Sequence, residues 1–183
     1  MRIGTLLATL LAALVVGCYP SENPIWTPET LVYHPELLGV YQDDEPATAK
    51  NTTTLEKGDA DKSYRVITHN GKGEKTGEAS LRLVKLGDRL YYDYQPSGAK
   101  LDNVDPPLKG FHIFGRLTIK DKKITLYFGS NILLDEAFRG KKVTRDKEDA
   151  RIITNTTEEL QTFLKANSDK MTAPGGSFTK LRD

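Results

Sequence analysis

Polar and apolar residues alternate with a period of two along much of this chain, which is the pattern of half-buried β-strand. From Leu37 onward that period dominates. Tyr64, Val66 and Thr68 alternate with Arg65, Ile67 and His69, and Asn70-Gly71 follows as a turn signal. Residues 81–86 and 90–94 are short β-prone runs separated by Gly87-Asp88, a pair that suits a two-residue turn with positive φ at its first central position. Residues 111–119 and 123–128 predict a second hairpin around Asp121-Lys122. Ile113, Leu117 and Ile119 alternate along one of its strands, and Ile124, Leu126 and Phe128 along the other. Residues 150–154 read as a strand and 177–181 as a closing one.

Elsewhere the pattern breaks. Residues 71–79 are glycine-rich and charged, and residues 96–107 read as a loop because Pro96, Gly98, Pro106 and Pro107 block ladder pairing. Residues 133–138 suit a helical turn. In Thr156-Thr157-Glu158-Glu159 the spacing of Thr156 and Glu159 predicts a capping box, with Leu160, Phe163 and Leu164 as the apolar stripe of the helix that follows. Residues 167–176 are a polar, glycine-containing connection. Near the start, Pro20, Pro24, Pro28 and Pro35 favour extended backbone and make residues 18–36 read as a tether. Trp26 within it needs an apolar neighbour, so packing onto the domain is expected ahead of a partner contact.

Several short antiparallel strands and one C-terminal α-helix predict a mainly β fold, a β-barrel or a strongly curved antiparallel sheet, because closure removes exposed strand edges. Gly39-Val40-Tyr41, near the start of the first strand, resembles the Gly-x-Trp of the lipocalins with tyrosine in place of tryptophan. A helix followed by a last strand is also their order of elements. The resemblance implies a calycin-like barrel, binding of a hydrophobic ligand, and Arg182 in the place of the arginine that covers the motif's aromatic ring. A small barrel filled by its own side chains is equally compatible with the pattern.

Residues 3–16 carry no charge, follow Arg2, and run into Val15-Val16-Gly17-Cys18. Such a stretch falls short of the roughly 20 residues that span a bilayer as a helix, and matches the core of a signal peptide. Val15 to Cys18 resembles the lipobox of bacterial lipoproteins. That resemblance implies removal of residues 1–17 and a thioether-linked lipid on Cys18, whose thiolate is nucleophilic enough to accept it. Two or three acyl chains exceed what stable anchoring requires. Tyr19 stands where aspartate would retain a lipoprotein at the inner membrane, so the resemblance implies the outer membrane, with the protein facing the periplasm. The expected organisation is a signal peptide over 1–17, a lipidated N-terminus and tether over 18–36, and one β-rich domain over 37–183.

The full chain has 26 Lys and Arg against 25 Asp and Glu, and loss of Arg2 with the leader balances them. No basic excess marks a nucleic-acid binder. Cys18 is the single cysteine, so its lipidation leaves none for a disulfide. His34, His69 and His112 are scattered outside any zinc pattern. Asp43-Asp44-Glu45 and Asp102-Asn103-Val104-Asp105 lack the spacing of a calcium loop, and the glycines around Lys72 are not followed by a helix that would cradle a phosphate. No Gly-x-Ser-x-Gly elbow occurs. Neither a metal, a cofactor nor a catalytic residue is assigned.

One constellation stands out. His112, Phe114 and Arg116 alternate and so share a sheet face, and Tyr92 and Tyr94 on the preceding strand are placed beside them. Lining the barrel, these five would suit an anionic headgroup or acyl carboxylate through Arg116. Facing water, they would be a polar surface with a cation stacked on aromatics. The functional expectation is a non-enzymatic, lipid-anchored envelope protein that binds a small amphiphile or an envelope partner, or serves as a scaffold. The alternative is a hydrolase or transferase acting on lipid or cell-wall material, with His112 as base and Arg116 as clamp.

Overall fold

The computed structural model describes residues 20–46, 48–97, 110–128, 140–145 and 148–183. The leader, Cys18, the acidic stretch 102–105 and the helical turn expected at 133–138 lie outside them. Strands β1 (Leu31–Val32), β2 (Gly39–Asp43), β3 (Thr52–Lys57), β4 (Ser63–His69), β5 (Lys75–Leu86) and β6 (Arg89–Ser97) come first. They are followed by β7 (Ile113–Lys120), β8 (Lys123–Phe128), β9 (Gly140–Arg145), β10 (Glu148–Ile153), helix α1 (Thr157–Asn167) and β11 (Ala173–Arg182). The sheet order β5-β4-β3-β2-β11-β8-β7-β6, with β6 pairing back onto β5, closes an eight-stranded antiparallel barrel. This is the mainly β class with a single C-terminal helix that the alternation predicts, and it is consistent with a calycin-like fold. Strands β9 and β10 pair as a separate ribbon.

The turns obey local rules. Gly87 has φ 64° between Leu86 and Arg89, and Asp121 and Lys122 take φ 49° and 66° between Lys120 and Lys123. Both hairpins therefore use the primed turns that match strand twist. At α1 the Thr156 hydroxyl accepts the Glu159 N–H while the Glu159 carboxylate accepts the Thr156 N–H.

Several boundaries differ from the sequence pattern. Strand β5 starts at Lys75, within the glycine-rich stretch, and β6 continues through Pro96. Beyond Tyr94 the β6 strand is paired to β5 alone, an edge position where proline is tolerated.

Alternation divides the apolar residues between two cores. Tyr41, Leu55, Tyr64, Val66, Ala79, Leu83, Tyr92 and Leu117 fill the barrel. Val84, Leu86, Tyr91 and Phe114, from the other side of the same wall, meet Leu160 and Leu164 of α1 together with Ile25, Leu31, Ile153 and Met171. Residues 20–38 run along this outer wall. Ile25 is fully buried, the Arg82 guanidinium lies 4.5 Å over the Trp26 ring, and Leu31 pairs with Val84 beside the start of β4. Trp26 thus packs onto the domain.

One end of the barrel is sealed by the 3-10 turn Pro35–Leu37. The Tyr41 hydroxyl donates to the Leu37 carbonyl at 2.9 Å, and Tyr64 stacks on Tyr33 while bonding both backbone groups of His34. The covering residue is Lys180, not Arg182. Lys180 pairs with Tyr41 and donates to the Glu36 carbonyl at 2.8 Å, whereas Arg182 pairs with Val40 and is exposed, because the strand register shifts between the two. Gly39 is obligatory beneath this cover: it has φ 139°, and a Cβ would stand 2.4 Å from the Arg182 carbonyl oxygen and 2.7 Å from Lys180 Cε.

Candidate functional site

Strand register decides how the five candidate residues are grouped. Tyr92 pairs with Gly115 and Tyr94 with Ile113, so both tyrosines point into the barrel. His112, Phe114 and Arg116 have the opposite parity and face outward, where their cross-strand neighbours are Asp93 and Tyr91. The expected cluster of five is therefore split by the barrel wall. Arg116 does not reach the interior. Its guanidinium stacks 4.4 Å over Tyr127 and donates to the Met171 carbonyl, beyond the C-terminal end of α1.

Inside the barrel, Tyr92 crosses Gly115, where a Cβ would stand 2.6 Å from its hydroxyl, and meets Phe128 edge-on at 6.1 Å. Tyr94 lies farther from the sealed end, opposite Leu81. Its hydroxyl has no hydrogen-bond partner among the described residues. Burial pushes its pKa up to about 12, yet the side chain is only half-buried. The ring packs against the interior cluster while part of its surface stays uncovered. Leu81, Leu126, Phe128 and Phe178 are half-buried members of the same apolar lining. At the sealed end Leu37, Tyr41, Leu55 and Tyr64 are fully packed.

Outside the wall lies an arrangement the sequence pattern does not mark. Asp93, between the two inward tyrosines, points outward and is 1 % exposed. Its Oδ1 meets His112 Nδ1 at 2.7 Å and its Oδ2 accepts the Ile25 N–H at 2.9 Å. His112 also forms an antiparallel backbone bridge with Ser21, at 2.9 and 2.8 Å. With Nδ1 held by the carboxylate, a neutral ring presents Nε2 as acceptor. No nucleophile bonds that nitrogen among the described residues, and the Ser21 hydroxyl accepts the Asn23 N–H instead. The pair ties an N-terminal segment to the wall. Asp93 could have been noticed as a lone acid amid Tyr91, Tyr92 and Tyr94, where a strand acid needs a partner.

No group of three His, Cys, Asp or Glu side chains able to hold a metal occurs among the described residues. No helix among them is long and apolar enough to cross a membrane. No protein-family model matches the chain, and neither a curated protein nor a solved structure matches it.

Proposed function

We propose that this is a lipid-anchored protein of the bacterial envelope, held at the outer membrane through Cys18, whose barrel binds a small amphiphile without transforming it. The observation that carries the reading is the unpartnered Tyr94 hydroxyl within an apolar, half-buried lining. A neutral phenol donates a hydrogen bond to a carbonyl, ester or carboxylate oxygen, while Leu81, Phe128 and Phe178 take the apolar portion. Both parts of an amphiphile then find a match.

Displacement of a dansyl-labelled fatty acid from the purified protein tests this. Wild type is expected to bind the probe, and Tyr94→Phe to bind it about five- to tenfold more weakly, as befits loss of one hydrogen bond of ~1 kcal/mol. Equal binding by the two proteins, or none by wild type, refutes the assignment.

The Asp93–His112 pair invites a hydrolase reading, since a carboxylate-oriented imidazole is what a general base needs. Its surroundings favour attachment instead: the second carboxylate oxygen is spent on the Ile25 amide, and the face carrying the pair is covered by residues 20–25.

A further inference from the structure

The N-terminal segment joins the barrel at the end opposite the sealed one. His112 directly precedes β7, whose first residue Ile113 pairs with Tyr94 near the end of β6. Ser97, Phe128, His69 and Asp43 end their strands at this same rim, and the 3-10 turn lies at the other. Residues 20–38 thus start at the Tyr94 end and travel down the outer wall to the sealed end.

The start of that path is fastened on three sides. The Ser21 N–H donates to the His112 carbonyl and the Ser21 carbonyl accepts the His112 N–H; the Ile153 N–H donates to the Pro20 carbonyl at 2.8 Å and the Glu22 N–H to the Ile153 carbonyl at 2.9 Å. The Asn23 amide donates to the Asn155 carbonyl at 2.9 Å, the Thr157 hydroxyl to the Pro24 carbonyl at 2.7 Å, and Gln161 to the Ile25 carbonyl at 2.9 Å. Ser21 is wholly buried. Three peptide units separate Cys18 from Ser21, a covalent reach of at most ~11 Å. A spacer that short, ending in a fastened residue, gives the domain little freedom to tumble about its anchor.

The geometry points to a fixed posture: the rim nearest Tyr94 is held against the bilayer by the clamped segment that begins at Ser21, and the interior receives its amphiphile from the membrane. This rests on the lipid-anchor reading above. Acyl chains on Cys18 enter the bilayer within ~11 Å of the clamp, so the clamped rim is the part of the barrel closest to lipid. The source of the ligand is then the bilayer itself. An apolar molecule moving from lipid to Tyr94 avoids crossing water, where its methylenes would be exposed at a cost.

Two positions at opposite ends of one strand test the posture. Ser97 ends β6 and Asp88 lies in the turn just before it, both exposed, and the nine residues of β6 span ~30 Å. Full-length Ser97→Cys and Asp88→Cys proteins, purified with their lipid, are labelled with a thiol-reactive fluorophore and reconstituted in phosphatidylethanolamine–phosphatidylglycerol vesicles. Headgroup-nitroxide lipid is expected to quench the Ser97 label at least threefold more than the Asp88 label. A flexible glycine–serine insert of about twenty residues between Tyr19 and Pro20 should erase that contrast while leaving flotation with vesicles unchanged. Equal quenching in the parent proteins, or contrast that survives the insert, overturns the posture and leaves the anchor standing. Intact mass without lipid on Cys18 overturns both.

Discussion

Asp93 commits both carboxylate oxygens to groups far away in sequence, the His112 ring and the Ile25 amide, in a site closed to water. Asp93→Ala would strand two buried polar groups, and it should cost about 3 kcal/mol in urea denaturation. Asp93→Asn keeps an acceptor for one of them and should cost visibly less. A loss below ~1 kcal/mol for alanine would show that the clamp contributes little to folding. The same residue explains why the sequence grouping failed. His112, Phe114 and Arg116 do share a face, as alternation within one strand requires. Whether Tyr92 or Asp93 joins them depends on how β6 and β7 align, and the long connection between those strands leaves both parities open to inspection of the sequence. Lys180 escaped notice for a related reason. The regular β11–β2 register that starts at Phe178 and Asp43 places it across from Tyr41, and the shift that follows turns Arg182 toward Val40.

Elements defined by local chemistry were the most legible. Thr156 and Glu159 cap α1 as their spacing requires, and Gly87-Asp88 and Asp121-Lys122 turn the two hairpins. Thr156→Ala should lower stability by ~1 kcal/mol through loss of the cap, read as a shift in the thermal midpoint; no shift would mean that packing of Leu160 and Leu164 alone holds the helix start. Strand β3 is harder to foresee because Thr-Thr-Thr-Leu-Glu-Lys offers one buried apolar residue, Leu55, and takes its place through backbone pairing with β2 and β4. Residues 20–25 illustrate the same point. Their prolines announce extended backbone, but the partners of their amides and carbonyls leave no trace in side-chain pattern.

Closure makes the molecule's response to pH a property of the whole barrel. Burial pushes the pKa values of Tyr41, Tyr64 and Tyr94 up to about 12, so they remain protonated in the folded state while the unfolded chain ionises near 10. Their contribution to stability is complete below pH 10 and is lost as pH rises toward 12. Tyrosinate absorbance should therefore appear in two stages, with these three phenols titrating together with unfolding; smooth ionisation of all tyrosines near pH 10 in folded protein would contradict their interior placement. On the acid side, Arg65 and Lys75 hold the Glu78 carboxyl down at about 2, which favours the folded state above the ordinary carboxylate range and loses that effect as pH falls toward 2. Because this ion pair lies at the surface, where solvent screens it, Glu78→Gln should alter the acid limb of the stability curve only slightly. The barrel class itself was readable from period-two alternation, whereas closure required pairings such as β11 with β2, whose partners lie at opposite ends of the chain.

In β6 the order Tyr92, Asp93, Tyr94 serves both cores at once, with interior-facing and clamp-facing groups separated by a single peptide unit. Adding or deleting one residue there would exchange their destinations, delivering a carboxylate to the apolar lumen and phenols to the docking seam. Length variation among descendants of this gene should accordingly be absorbed in the connections, while the odd–even parity of β6 stays invariant.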